Sequence, residues 1–198
     1  MAALKEWSIV CNALGDGRQC ILFRKGGILE YKQGFEVKHE SFFLYPTLEH
    51  QSRQYIQKDY VVEFDRLISE CDSARVNDEV ILKLWAKVER IHRVSNLGVL
   101  DKIEQYHIWN RNYLQLRMNY NPSKPLFLLL VRVYTLIHPL KFQILPAWSG
   151  CKSWIDIHVP EYESIGNCTA INKLDLVEPV LNDSDFENIS CTLEDVLT

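Results

Sequence analysis

The longest uninterrupted apolar run of the chain, Leu126–Val131, is six residues long and is closed by Arg132. Six residues suit a buried β-strand and fall far short of the roughly 20 that a helix needs to cross a bilayer. The other apolar runs are shorter still: Cys20–Phe23 leads into Arg24, Lys25, Gly26 and Gly27, and Ser41–Tyr45 is ended by Pro46. The chain is therefore expected to build its interior from many short elements, with no membrane span. At 198 residues and 47% hydrophobic content it can fill one core without disulfides or metal. The six cysteines form no CxxC pair and read as thiols serving as small hydrophobes. The start places Lys5 and Glu6 ahead of a broken apolar segment, which is no secretory h-region, so a cytoplasmic protein is expected.

Leu4, Trp7, Val10, Cys11 and Leu14 recur at helical spacing and stop at Gly15 and Gly17, which predicts an opening helix. Cys20–Phe23 and Ser41–Tyr45 read as strands, and Phe64, Leu67, Ile68 and Cys71 as a helix within 51–73. Val80–Val88 fits both periods; its strict alternation with Lys83, Lys87 and Glu89 favours a strand. A short helix near Leu97–Gln105 follows, then two β-rich runs, Tyr106–Met118 and Leu126–Leu136, split by a turn at Asn121, Pro122 and Ser123. The sum is an α+β fold, a small mixed β-sheet or β-barrel with flanking helices.

Charge is uneven. From Glu161 onward nine acidic residues face Lys173 alone, a net −8 that leaves +4 on residues 1–160. We read 1–159 as a single α+β domain and 160–198 as an acidic, partly ordered tail. Such a tail either solvates the chain, folds back over the basic body, or docks a protein partner.

Three groups of residues bear on chemistry. Arg24 and Lys25 beside a glycine turn can meet a phosphate, although the P-loop order is absent, and a plain solvent-exposed turn is the alternative. His39, Glu49 and His50 can bind a metal for a hydrolase, but their spacing matches no metal signature, so local capping by His50 and Gln51 competes. Trp109 beside Arg111, and Trp148 in a loop, are the tryptophans best placed in sequence for stacking on bases, whereas most of the others should be core. Nothing nominates a catalytic nucleophile, and no cofactor is implied.

Taken together, LKEW (Leu4–Trp7), RKGGI (Arg24–Ile28), PTLEHQ (Pro46–Gln51), HIW (His107–Trp109), RVY (Arg132–Tyr134) and GCKSW (Gly150–Trp154) resemble a bacterial domain-of-unknown-function family frequent in cyanobacteria. That resemblance runs from about Ala3 to Ile157. Some members are associated with restriction-endonuclease-like domains, which implies a restriction or DNA-defence setting; no nuclease module is recognisable in this chain. A second similarity, in Gly17-Arg18-Gln19 followed by Leu22 and Arg24, is to PUA-like barrels of the ASCH and EVE type. It implies a cleft for RNA or a modified DNA base, with Arg24 and Lys25 near it and Tyr45, Thr47, His50 and Trp109 lining it. The expected function is nucleic-acid binding through Arg24, Lys25, Tyr45, Thr47, His50, Gln51, Trp109 and Arg111. An adaptor docking through its tail and a metal-assisted hydrolase are the alternatives.

Overall fold

Residues 2–6 are buried without a break, as in a central strand covered on both faces. The helical spacing from Leu4 to Leu14 in fact runs across two elements, β1 (Ala2–Trp7) and α1 (Ser8–Gly15). The expected single helix is thus corrected: sheet pairing on both sides of β1 overrides a periodicity that its first residues share by coincidence. The computed structural model describes residues 1–25, 39–74, 78–94, 96–150, 152–159 and 176–197. Gly26, Gly27, Cys151, Cys168 and the first part of the acidic segment, 160–175, lie outside these. Cys11, Cys20 and Cys191 are free thiols.

In chain order there follow β2 (Ile21–Arg24), β3 (Ser41–Thr47), α2 (Val61–Ala74), β4 (Glu79–Val94), α3 (Leu97–Lys102), α4 (Arg111–Asn119), β5 (Leu126–Gln143), β6 (Trp154–Asp156), β7 (Val177–Pro179) and α5 (Asp183–Leu197). The sheet order is β2-β5-β4-β3-β1-β6, with β7 also paired to β5. Only β1 and β3 run parallel; every other named strand pairing is antiparallel. No pairing among the described residues joins β2 to β6, so the molecule is α+β with an open mixed sheet, and the barrel alternative is set aside.

The long β4–β5 ladder holds the sheet together, and its register breaks between Leu82 and Leu84. Residues 136–139 of β5 have no partner in β4 there, Leu136 pairing instead with Val177 of β7, and Pro139 is among them, as expected of a residue with no N–H to give a ladder. The slip exchanges the two faces. Val80 and Leu82 pack in a small cluster with Phe43, Tyr45, Trp148 and Ile155, whereas Leu84 and Ala86 join the main core. The main core lies on the other face, with Ile9 of α1, Phe64 of α2, Leu100 of α3, Leu114 of α4 and Phe186 of α5 all packed into it.

The second correction concerns 106–118. Residues 111–119 are helix α4, capped by Asn110, whose Oδ1 accepts from the Tyr113 amide at 3.0 Å. The Asn110 amide group also donates to the Gln54 and Ile56 carbonyls, tying the helix start to the 51–57 loop. An N-cap asparagine is a helix-start signal that outweighs the β-propensity of the aromatics around it.

Residues 176–197, set apart in sequence, share the core of 1–159. β7 pairs with β5, Leu193 is fully buried, and Asn182 caps α5 by accepting from the Asp185 amide at 2.8 Å. Gly17, at φ +71°, makes room for this return: a Cβ there would sit 2.9 Å from Leu181 Cδ2.

Candidate functional site

Because β1 and β3 are parallel, their last residues lie at the same end of the sheet, with Glu6 beside Pro46 and Trp7 beside Thr47. Lys5 and Glu6 are successive residues of a strand and so point to opposite faces. Both are buried, an arrangement that requires partners on each side.

On the face of the small cluster, Lys5 Nζ donates to Glu49 Oε2 at 2.8 Å and to the Trp148 and Gly150 carbonyls at 3.0 Å each. Three acceptors use all three ammonium protons, so this lysine is a structural tie among LKEW, PTLEHQ and GCKSW. The hydrogen bond from Lys5 holds the Glu49 carboxyl below its ordinary range. Burial, with Glu49 nearby, pushes the Tyr45 phenol up.

On the other face, Glu6 Oε2 accepts from Arg24 Nη2 at 2.8 Å and Glu6 Oε1 from the Trp7 amide at 2.9 Å. Lys25 follows Arg24; its Nζ donates to the Met118 carbonyl at the end of α4. Burial, and next the neighbouring Arg117 charge, lower the Lys25 pKa. Beside these cations stand three half-buried rings: Tyr113 has its centroid 5.1 Å from Trp7 and 5.3 Å from Tyr55. Behind them Trp109 stacks on Tyr113, with centroids 5.9 Å apart and planes 18° from parallel.

The structure divides the residues expected from sequence. Arg24 and Lys25 come together at the aromatic end, and Thr47 lies beside Trp7 in register. Tyr45 and Glu49 belong to the Lys5 face. His50 is exposed at a loop position with φ +62°, followed by half-buried Gln51. Arg111 is exposed at the start of α4 and paired with Asp101. Trp109 is only 2% exposed and Trp148 only 8%, so both are core rings and neither offers a face to a base. The rings that reach the surface beside Arg24 and Lys25 are Trp7, Tyr55 and Tyr113, which sequence reasoning missed; Tyr113 carried a signal in the Asn110 cap. For the metal alternative, Glu49 is engaged by Lys5 and His39 packs edge-on against Trp154 at 4.9 Å. Among the described residues no group of three or more His, Cys, Asp or Glu side chains is placed to hold a metal ion.

His107 supports the aromatic wall from inside, edge-on to Phe23 at 5.5 Å and 1% exposed. Burial lowers its pKa from 6.5 to about 4, with backbone groups of Trp109 and Leu100 opposing the shift. The unfolded chain therefore binds this proton more tightly than the folded one. The stability that neutral His107 supplies is whole above pH 6.5 and is lost as pH falls from 6.5 toward 4, amounting to about 3 kcal/mol at pH 4. His107→Leu is expected to show a shallower fall over this window than the natural sequence; parallel urea-midpoint curves for the two would refute the assignment.

The molecule is thus an α+β domain whose open sheet ends in a patch of cations and half-buried aromatic rings. The chain belongs to the family described as a domain of unknown function, DUF1802, whose model matches residues 3–191. No curated protein matches the sequence. Among solved structures it is similar to a tyrosine-to-phenylalanine mutant of ASCH from Zymomonas mobilis, with a TM-score of 0.46 and 10% identity over 84% of this chain and 96% of that one. It is also similar to ASCH from the same organism, with a TM-score of 0.43 and 13% identity over 79% and 87% of the two chains. No helix among the described residues is long and apolar enough to cross a membrane.

Proposed function

We propose that the domain binds nucleic acid, receiving an unpaired base on the rings of Trp7, Tyr55 and Tyr113 while Arg24, Lys25 and Arg117 meet the backbone. The observation that carries this reading is the contiguity of three half-buried rings with three cations at one end of the sheet. Rings supply stacking faces that any base can use, and cations supply phosphate contacts without sequence preference. Glu6 offsets part of the Arg24 charge, so about two net phosphate contacts are expected, and log K should fall with log salt at a slope near −1.4 for a single strand. The test is fluorescence anisotropy with labelled single-stranded DNA and RNA across a salt series. Tyr55→Ala should weaken binding roughly tenfold, the effect of losing one stacked base, without changing the melting temperature much. Full affinity in that variant, or no salt dependence, would overturn the reading.

The family resemblance adds a restriction or DNA-defence setting in the cytoplasm. Phage challenge of cells with and without the protein checks it. A protein partner at the acidic outer face of α5, where Asp185, Glu187 and Asp195 are exposed, is the other reading. Charge reversal at those three positions should abolish capture of such a partner while leaving nucleic-acid binding intact.

A further inference from the structure

Resting on the nucleic-acid reading, we infer that the site does not stop at one base: it continues outward along α4 as a track for about four nucleotides of a single strand. Tyr113, Leu116 and Arg117 of α4 stand at i, i+3 and i+4, and Tyr120, the residue that caps the end of the helix with its amide on the Leu116 carbonyl, continues the same stripe at i+7. The stripe begins inside the aromatic cluster at Tyr113 and runs out to solvent, where Leu116 is 51% and Tyr120 66% exposed. Leu114, about 100° round the helix from Tyr113, is the fully buried residue of α4, and Tyr113 and Met118 pack against the core beside it. The exposed outer part of the stripe, Leu116 and Tyr120, is therefore surplus to folding.

Charge identifies what covers it. α4 contains no acidic residue, Arg117 sits between the two tyrosines, and Lys25 is pinned to the Met118 carbonyl beside it. Among the described residues neither Lys25 nor Arg117 forms an ion pair with a carboxylate. Holding two like charges together without a counter-charge is unfavourable, and a bound anion relieves it. Tyr113 and Tyr120 are seven residues apart, about 10 Å along the axis at 1.5 Å per residue. Stacked nucleotides of one strand advance about 3.4 Å each, so this length spans about three steps, with a base on each ring, two bases between them and Arg117 beside the intervening phosphates. A duplex keeps its base faces inside its own stack and has none to offer Tyr113 or Tyr120.

The experiment titrates the full chain with labelled thymidine and uridine mono-, di-, tetra- and octanucleotides, and with an annealed duplex, by anisotropy at fixed salt. The tetranucleotide should bind at least tenfold tighter than the mononucleotide, with little further gain at eight, and the duplex at least tenfold weaker than the single strand. Tyr120→Ala, at an exposed position that folding does not need, should cost about tenfold on the tetranucleotide and nothing on the mononucleotide. Arg117→Gln should weaken the tetranucleotide and flatten its salt dependence. If oligonucleotides bind and Tyr55→Ala weakens them, but affinity ignores length or Tyr120→Ala binds normally, the track is overturned while the nucleic-acid reading stands. If the natural chain binds no oligonucleotide, both fall and the stripe belongs to a protein partner.

Discussion

Phe186→Ala is expected to lower the unfolding free energy by about 3–5 kcal/mol, as for a phenylalanine removed from any close-packed interior. Phe186 is 8% exposed and packs in the main core, with the Arg132 guanidinium 4.6 Å above its ring centroid. Arg132 is itself buried and tied to Asp183 at 2.7 Å and to the Asn182 carbonyl at 3.4 Å. At the far end of α5, Glu194 pairs with Arg90 of β4. Removing the ring opens a cavity and leaves the Arg132 charge without its aromatic cover. Urea unfolding measures the effect. A loss below about 1 kcal/mol would mean that α5 is an appendage and that its packing contributes little. The expected size has a practical consequence: deleting the acidic segment removes core, so a deletion that loses a partner cannot distinguish lost docking from lost folding. Charge reversal on the outer face of α5 keeps Phe186 and Leu193 in place and separates the two.

What the sequence made legible follows from how local each signal is. The strand at Ile21–Arg24 and the long strands β4 and β5 were readable because short apolar runs and strict alternation are properties of neighbouring residues. β1 was not, because its strand state comes from β3 and β6, whose partner residues begin some 40 and 150 positions away. The helical spacing of Leu4 and Trp7 with Val10 is real in sequence but spans the strand-to-helix junction. α5 was hidden by charge: Phe186, Ile189 and Leu193 form a narrow apolar stripe among acids, and its salt bridges to Arg132 and Arg90 are long-range. At the candidate site, Arg24 and Lys25 were legible as cations beside a turn. Their surroundings were not, since Glu6, Tyr55 and the α4 pair Tyr113 and Arg117 come from three separate segments. Trp109 was misjudged because a tryptophan two residues before an arginine looks the same in sequence whether its ring faces water or Phe23.

Arg24→Met should cost about 3–5 kcal/mol, because it leaves the buried Glu6 carboxylate without the cation opposite it. Glu6 has 8% of its side chain exposed and Arg24 22%, so the carboxylate is the member less able to turn to water. Its remaining bond, from the Trp7 amide at 2.9 Å, does not replace a full positive charge. Glu6→Gln removes the opposite charge with similar shape, and Arg24, being nearer solvent, tolerates that change better. The double variant should therefore be more stable than Arg24→Met alone, since no buried charge is left unpaired; strict additivity of the two losses would refute a coupled pair. On the proposed nucleic-acid reading, the same pair links stability to binding. Glu6 orients Arg24 toward the rings and also neutralises part of its charge, so Glu6→Gln should bind single strands several-fold more tightly and with a steeper salt dependence, while being less stable. A variant that loses stability and affinity together would instead show that Glu6 acts by positioning Arg24 alone.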